Sequence, residues 1–115
     1  ATTEIYTLSL HDALPIYGFI HAGMMATVLD SACGYAGLSV MPLEAGVLSI
    51  EFKINLLAPA KGQSFRCEGV VLKPGRTIVV TEGRAYAIDG DQEKLVATMN
   101  CTLMALENRP GIAAV

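Results

Sequence analysis

Positions 25, 28, 29, 32, 33 and 36 are all apolar, and they repeat at the i, i+3, i+4, i+7 spacing of an amphipathic helix. The pattern predicts a helix over residues 22–39, stopped ahead of Pro42, with that face on the core. Gly23, Thr27, Asp30, Gly34 and Gly37 recur at alternating steps of four and three. They gather into a second stripe of small or polar residues, along which another element can come close.

Beyond Pro42 the period changes from helical to two, the mark of strands. A first long strand is predicted over 47–57, with Leu48, Ile50, Phe52 and Ile54 on one face and Ser49, Glu51, Lys53 and Asn55 on the other. Pro59-Ala60-Lys61-Gly62 reads as a turn, 64–72 as a second strand and Lys73-Pro74-Gly75-Arg76 as a tight turn. Strands over 77–88 and 94–106 follow, joined at Asp89-Gly90-Asp91. Ile5 to Leu8 also favour β structure. The sum is one helix and about five antiparallel strands, an α+β fold with the sheet wrapped around the helix. Neither a 20–50-residue repeat nor a Gly-x-Gly-x-x-Gly nucleotide loop interrupts it.

Residues 1–16 differ in style from the rest. They lack the basic start and long apolar core of a signal peptide. Ser9-Leu10-His11-Asp12-Ala13-Leu14-Pro15-Ile16 resembles a translated library adapter, so the segment is expected to be foreign to the domain. The domain is placed over 17–107, with a tail over 108–115.

Composition narrows the function classes. The 115 residues are 52% hydrophobic and 17% charged, with a mean hydropathy of +0.46. One domain fits that length, and so apolar a chain is expected to bury surface in an oligomer. A net charge of −3 without a basic cluster argues against neutralising nucleic-acid phosphates. No apolar run approaches the ~20 residues of a membrane-spanning helix. Cys33, Cys67 and Cys101 are odd in number and widely spaced, with only two histidines in the chain. They read as buried thiols of a reducing cytoplasm, not as a disulfide framework, a zinc site or a nucleophile with a histidine partner. Asp89, Asp91 and Glu93 alternate like calcium ligands but lack the glycine of an EF-hand loop, and the turn explains them. No metal or cofactor is expected.

Asp30 is the exception on the helix: one carboxylate among Met24, Met25, Val28, Leu29, Ala32 and Cys33. An ionisable group on such a face is paired, capped or used. His21-Ala22-Gly23 precedes the helix; its first N–H groups lack intrahelical partners and carry the positive end of the macrodipole. Asp30 lies seven or eight residues further on, about 11 Å at about 1.5 Å per residue. It therefore cannot serve a group held by its own helix start, but could serve one held by a neighbouring subunit whose helix runs antiparallel.

The stretch from Tyr17 through His21-Ala22-Gly23 and Asp30 to Ala36 resembles the His-Gly-Gly-x6-Asp signature of hotdog-fold acyl-CoA thioesterases of the phenylacetic-acid-pathway type. Ser49-Ile50-Glu51-Phe52, Leu57-Ala58-Pro59-Ala60-Lys61-Gly62 and Lys73-Pro74-Gly75-Arg76 agree with it. The resemblance covers residues 17–107 and implies a hotdog fold. It implies that Asp30 is the general base or nucleophile and that the Ala22 N–H, beside Gly23, binds the thioester carbonyl. Ser49 would position water or the carboxylate, and His21 would orient the carbonyl-binding loop. Lys73, Gly75, Arg76 and Thr77 would meet CoA phosphates. The site would lie between two subunits of a homodimer, with dimers pairing into a tetramer.

Thioester hydrolysis needs charge stabilised on the carbonyl oxygen, which N–H donors at a helix start supply. It also needs a base or a nucleophile, and Asp30 can be either. Met24, Met25 and Met41 would give a deformable wall to an acyl pocket for aryl or medium aliphatic chains. The first glycine of the motif is Ala22 here, of little consequence if its N–H does the work. Pro15 stands where the family often has Asn. A non-catalytic acyl-CoA-binding hotdog protein and a dehydratase on the same fold are the alternatives.

Overall fold

The structure is a computed structural model that describes residues 3–9, 15–16 and 19–107, with side chains for 19–107. In chain order the elements are β1 (Thr3–Ser9), β2 (Pro15–Ile16), β3 (Phe19–Ile20), α1 (Ala22–Leu38), β4 (Gly46–Leu56), β5 (Ser64–Pro74), β6 (Ile78–Asp89) and β7 (Gln92–Leu106). Five strands form one antiparallel sheet in the order β1-β5-β6-β7-β4, and β2 and β3 make a separate two-residue pair. The α+β expectation holds, a long helix packed on an antiparallel sheet. Of the segment set apart as foreign, Thr3–Ser9 pairs with β5. The remainder of the adapter-like string, residues 10–14, and the tail over 108–115 lie outside the described residues.

The helix buries Met25, Leu29, Ala32, Cys33, Ala36 and Gly37, close to the face predicted from spacing, with Val28 half-buried at its margin. Two mid-strand glycines let it settle on the sheet. Gly69 of β5 and Gly83 of β6 are direct cross-strand partners. A Cβ on Gly69 would stand 2.2 Å from the Ala32 carbonyl oxygen, and one on Gly83 would stand 2.9 Å from Cys33 Sγ. Glycine in a strand interior often marks such close backbone approach. The sheet contributes Phe65, Val79, Val96, Met99, Cys101 and Leu103 to the same core, all fully buried. The three cysteines are buried and free, as their spacing suggested.

Two local expectations are corrected. The turn placed at 73–76 begins later, because β5 continues through Pro74 after a register shift between Val71 and Lys73. The simple alternation along β4 fails as well. Ser49 pairs with Leu103 while Glu51 pairs with Thr102, so Ile50 is an extra residue that resets the parity. Ser49 and Phe52, predicted on opposite faces, therefore share the helix-facing side with Leu103 and Cys101, their cross-strand partners.

Candidate active site

Asp30 sits midway along α1, half-buried, with its side chain toward β4 and β7. The Ser49 hydroxyl donates to Asp30 Oδ1 at 2.7 Å. Cys101 Sγ, on β7, lies 3.8 Å from the same Oδ1 and 3.8 Å from Ser49 Oγ. Oδ2 accepts no hydrogen bond from a described residue. The bulge at Ile50 is what turns Ser49 inward to make this pair. Charge-assisted bonds of this kind are short and strong, so Oδ1 is held while Oδ2 has no donor among the described residues.

A cavity of about 330 Å³ opens on this pair, walled by Asp30, Ser31, Gly34 and Tyr35 of the helix and by Val47, Leu48 and Ser49 of β4. Gly34 belongs to the small-residue stripe seen in the sequence, and a Cβ there would meet nothing within 4 Å. Gly37, of the same stripe, instead receives this chain's own Leu103, 2.3 Å from a Cβ built on it. The stripe thus divides, one glycine facing open space and one packed internally.

The helix start holds the other residues singled out in the sequence. His21 is the N-cap in an extended conformation, and its Nδ1 accepts the Gly23 N–H at 2.9 Å, which places the ring proton on Nε2. The Met24 and Met25 N–H groups go to the His21 carbonyl at 3.0 and 3.2 Å. Ala22 N–H donates to no described residue. Gly23, Met24 and Met25 N–H are thus satisfied at this terminus, and Ala22 N–H is an orphan donor with no acceptor among the described residues. Ala22 borders a second cavity of about 420 Å³ with Phe19, Ile20, Met25, Leu56, Leu57, Pro59 and Val96 among its apolar walls.

The structure brings Asp30 of α1 and Ser49 of β4 together, and separately His21, Ala22 and Gly23 at the start of α1, about two turns of the helix before Asp30. Met24 is half-buried against the core and lines neither of these cavities, whereas Met25 lines the second. Met41 packs on the core edge. Lys73 is exposed near the end of β5, and Arg76 and Thr77 are exposed on the β5–β6 connection. Gly75 is needed there, since a Cβ would fall 1.9 Å from the Ile78 carbonyl oxygen. Val79, just after this connection, aligns with Leu103 and thence with Ser49 across two strand spacings, roughly 10 Å. Sequence reading missed Cys101: two positions 71 residues apart carry no local pattern that joins them.

The family profile of the thioesterase superfamily matches residues 17–94. A thioesterase family protein from Silicibacter pomeroyi has a crystal structure that is 45% identical, covering 92% of this chain and 80% of that one, at a TM-score of 0.83. BH2602 protein from Bacillus halodurans, solved with CoA, shares the fold at 24% identity and a TM-score of 0.81, covering 91% of this chain and 68% of that one. A Saccharolobus solfataricus protein named "Putative esterase" is 36% identical over 73 residues, which are 64% of this chain and 51% of that protein. The matched region thus spans about half the length of that relative. The chain belongs to the thioesterase superfamily, and its fold is the hotdog fold. Among the described residues no helix is long and apolar enough to cross a membrane, and no group of His, Cys, Asp and Glu is set to hold a metal.

Proposed function

We propose that this protein hydrolyses acyl-CoA thioesters, with Asp30 of one copy acting on a thioester held at the helix start of a second copy. The observation that carries the reading is the Ser49–Asp30 bond at the floor of an open cavity, one carboxylate oxygen fixed by the hydroxyl and the other with no donor among the described residues. Family membership supports the reaction class. The separation of the two half-sites along one helix, about 11 Å, supports a composite site.

β4 lies at the edge of the sheet, with Leu48, Ile50, Phe52 and Leu56 about half exposed. Unpaired edges and apolar side chains of this kind are covered in folded proteins, and a second copy paired along β4 would carry its helix start toward Asp30. The thioester carbonyl would accept from Ala22 N–H, with Gly23 N–H kept by His21. Oxyanion donors of this sort contribute ~10²–10³ in rate. Asp30 would take a proton from water or attack the carbonyl carbon itself. The apolar cavity beside Ala22 favours acyl groups without charge. Lys73 and Arg76 would meet CoA phosphates, and pairs of dimers would form the tetramer.

The test is free-thiol release from a panel of aryl and aliphatic acyl-CoAs, with Asp30→Asn alongside. Turnover in the wild type that falls at least about a hundredfold in Asp30→Asn supports the reading. Binding of acyl-CoA without turnover in either form replaces it with a binding protein.

A further inference from the structure

Cys101 is the group that the proposed chemistry leaves unexplained. It is completely buried in β7, directly beneath the Asp30–Ser49 pair, with Sγ 3.8 Å from each of their facing oxygens. Those are hydrogen-bond distances for sulfur. Ser49 has one hydroxyl proton, and it is committed to Asp30 Oδ1, so the thiol proton is the remaining donor in the cluster. The strand that presents it is pinned from the other side: Thr81 of β6, also fully buried, donates to the Cys101 carbonyl at 3.0 Å. Burial pushes the thiol up to about 11; it stays protonated as a donor and brings no second negative charge beside the carboxylate.

We propose that Cys101 is a positioning residue of the thioesterase site, its S–H donating to Asp30 Oδ1 so that Ser49 and Cys101 together fix the carboxylate with Oδ2 toward the cavity. The inference rests on the function proposed above. Thiols are weak donors, so the direct gain is small. The larger effect is steric and orientational: with Oδ1 held from two sides, the carboxylate cannot rotate into the core, and a small displacement of a reacting group is costly in rate.

Matched variants separate this from plain packing. Cys101→Ala and Cys101→Ser are close in size and differ in the donor. If Cys101 positions Asp30, Cys101→Ala loses about tenfold in kcat at unchanged KM, and Cys101→Ser recovers most of that loss although it buries a hydroxyl. A packing role predicts the reverse order or equal losses, and either result overturns the proposal.

A second measurement needs no turnover. The S–H stretching band of Cys101 is assigned in the infrared by its disappearance in Cys101→Ser. Hydrogen-bonded to Asp30, it moves to higher frequency in Asp30→Ala; a band that stays in place overturns the proposal. An inactive wild type would remove the thioesterase reading while the infrared result still decided whether the thiol holds the carboxylate.

Discussion

Ser49 and Asp30, 19 residues apart and on different elements, are joined by a 2.7 Å hydrogen bond from hydroxyl to carboxylate. The bond exists because a bulge at Ile50 turns Ser49 toward the helix. A hydrogen bond to a charged group contributes about 1.5–3 kcal/mol. Ser49→Ala is therefore expected to lower kcat by about ten- to a hundredfold, with little change in KM. Steady-state kinetics on the best acyl-CoA of the panel decide it, and an unchanged kcat would show that the hydroxyl has no part in the reaction.

His21 caps the helix through its ring, Nδ1 accepting from Gly23 N–H. His21→Ala removes the cap at a cost of about 1 kcal/mol, which lowers Tm by several degrees. Asn is a good N-cap, so His21→Asn should restore most of the loss. Thermal unfolding followed by circular dichroism distinguishes a cap from a passive loop residue, for which Ala and Asn would behave alike.

Gly34 and Gly69 answer oppositely to alanine. At Gly69 the new Cβ would meet the backbone oxygen of Ala32 at 2.2 Å, so the helix must lift, and overpacking of this kind costs about 1–3 kcal/mol or more. At Gly34 the Cβ meets nothing, and Ala in a helix interior gains about 1 kcal/mol over Gly. The gain carries a functional cost, because that Cβ enters the cavity beside Asp30. Gly34→Ala should raise Tm while lowering kcat/KM for the bulkiest acyl groups, and Gly69→Ala should lower Tm.

The buried thiols set a basic limit to stability. Burial raises Cys33 from the ordinary value of 9.0 to about 12, and Cys67 and Cys101 from 9.0 to about 11. Above pH 9 the unfolded chain has lost these protons while the folded chain retains them. The unfolded state then binds fewer protons, and stability falls as pH rises. This contribution is complete below about pH 9 and declines toward pH 11–12. Tm measured from pH 8 to 11 should fall over that range, and less steeply in Cys33→Ala. Native-state alkylation at pH 8 should be slow at all three thiols, becoming fast on unfolding.

Much of this was legible in the amino-acid sequence. The helix and its buried face follow from the spacing of Met25, Leu29, Ala32, Cys33 and Ala36, because a period of 3.6 is a local property. The strands follow from period-two runs bounded by glycine and proline, and Asp30 stood out as the one charge in an otherwise uncharged helix. His21-Ala22-Gly23 marked the helix start for the same local reason.

What depended on tertiary structure was every relation across the sheet. The bulge at Ile50 is a matter of register between β4 and β7, and a one-residue shift exchanges faces; the alternation read from 47–57 therefore put Ser49 and Phe52 on opposite sides. Gly69 and Gly83 lie 14 positions apart and become a single seat for the helix only when β5 and β6 pair. Cys101 joins Asp30 and Ser49 for the same reason. Local periodicity determined which elements form and which faces they bury. Long-range strand pairing alone decided which side chains meet at the carboxylate, since those contacts depend on register and no stretch of sequence contains it.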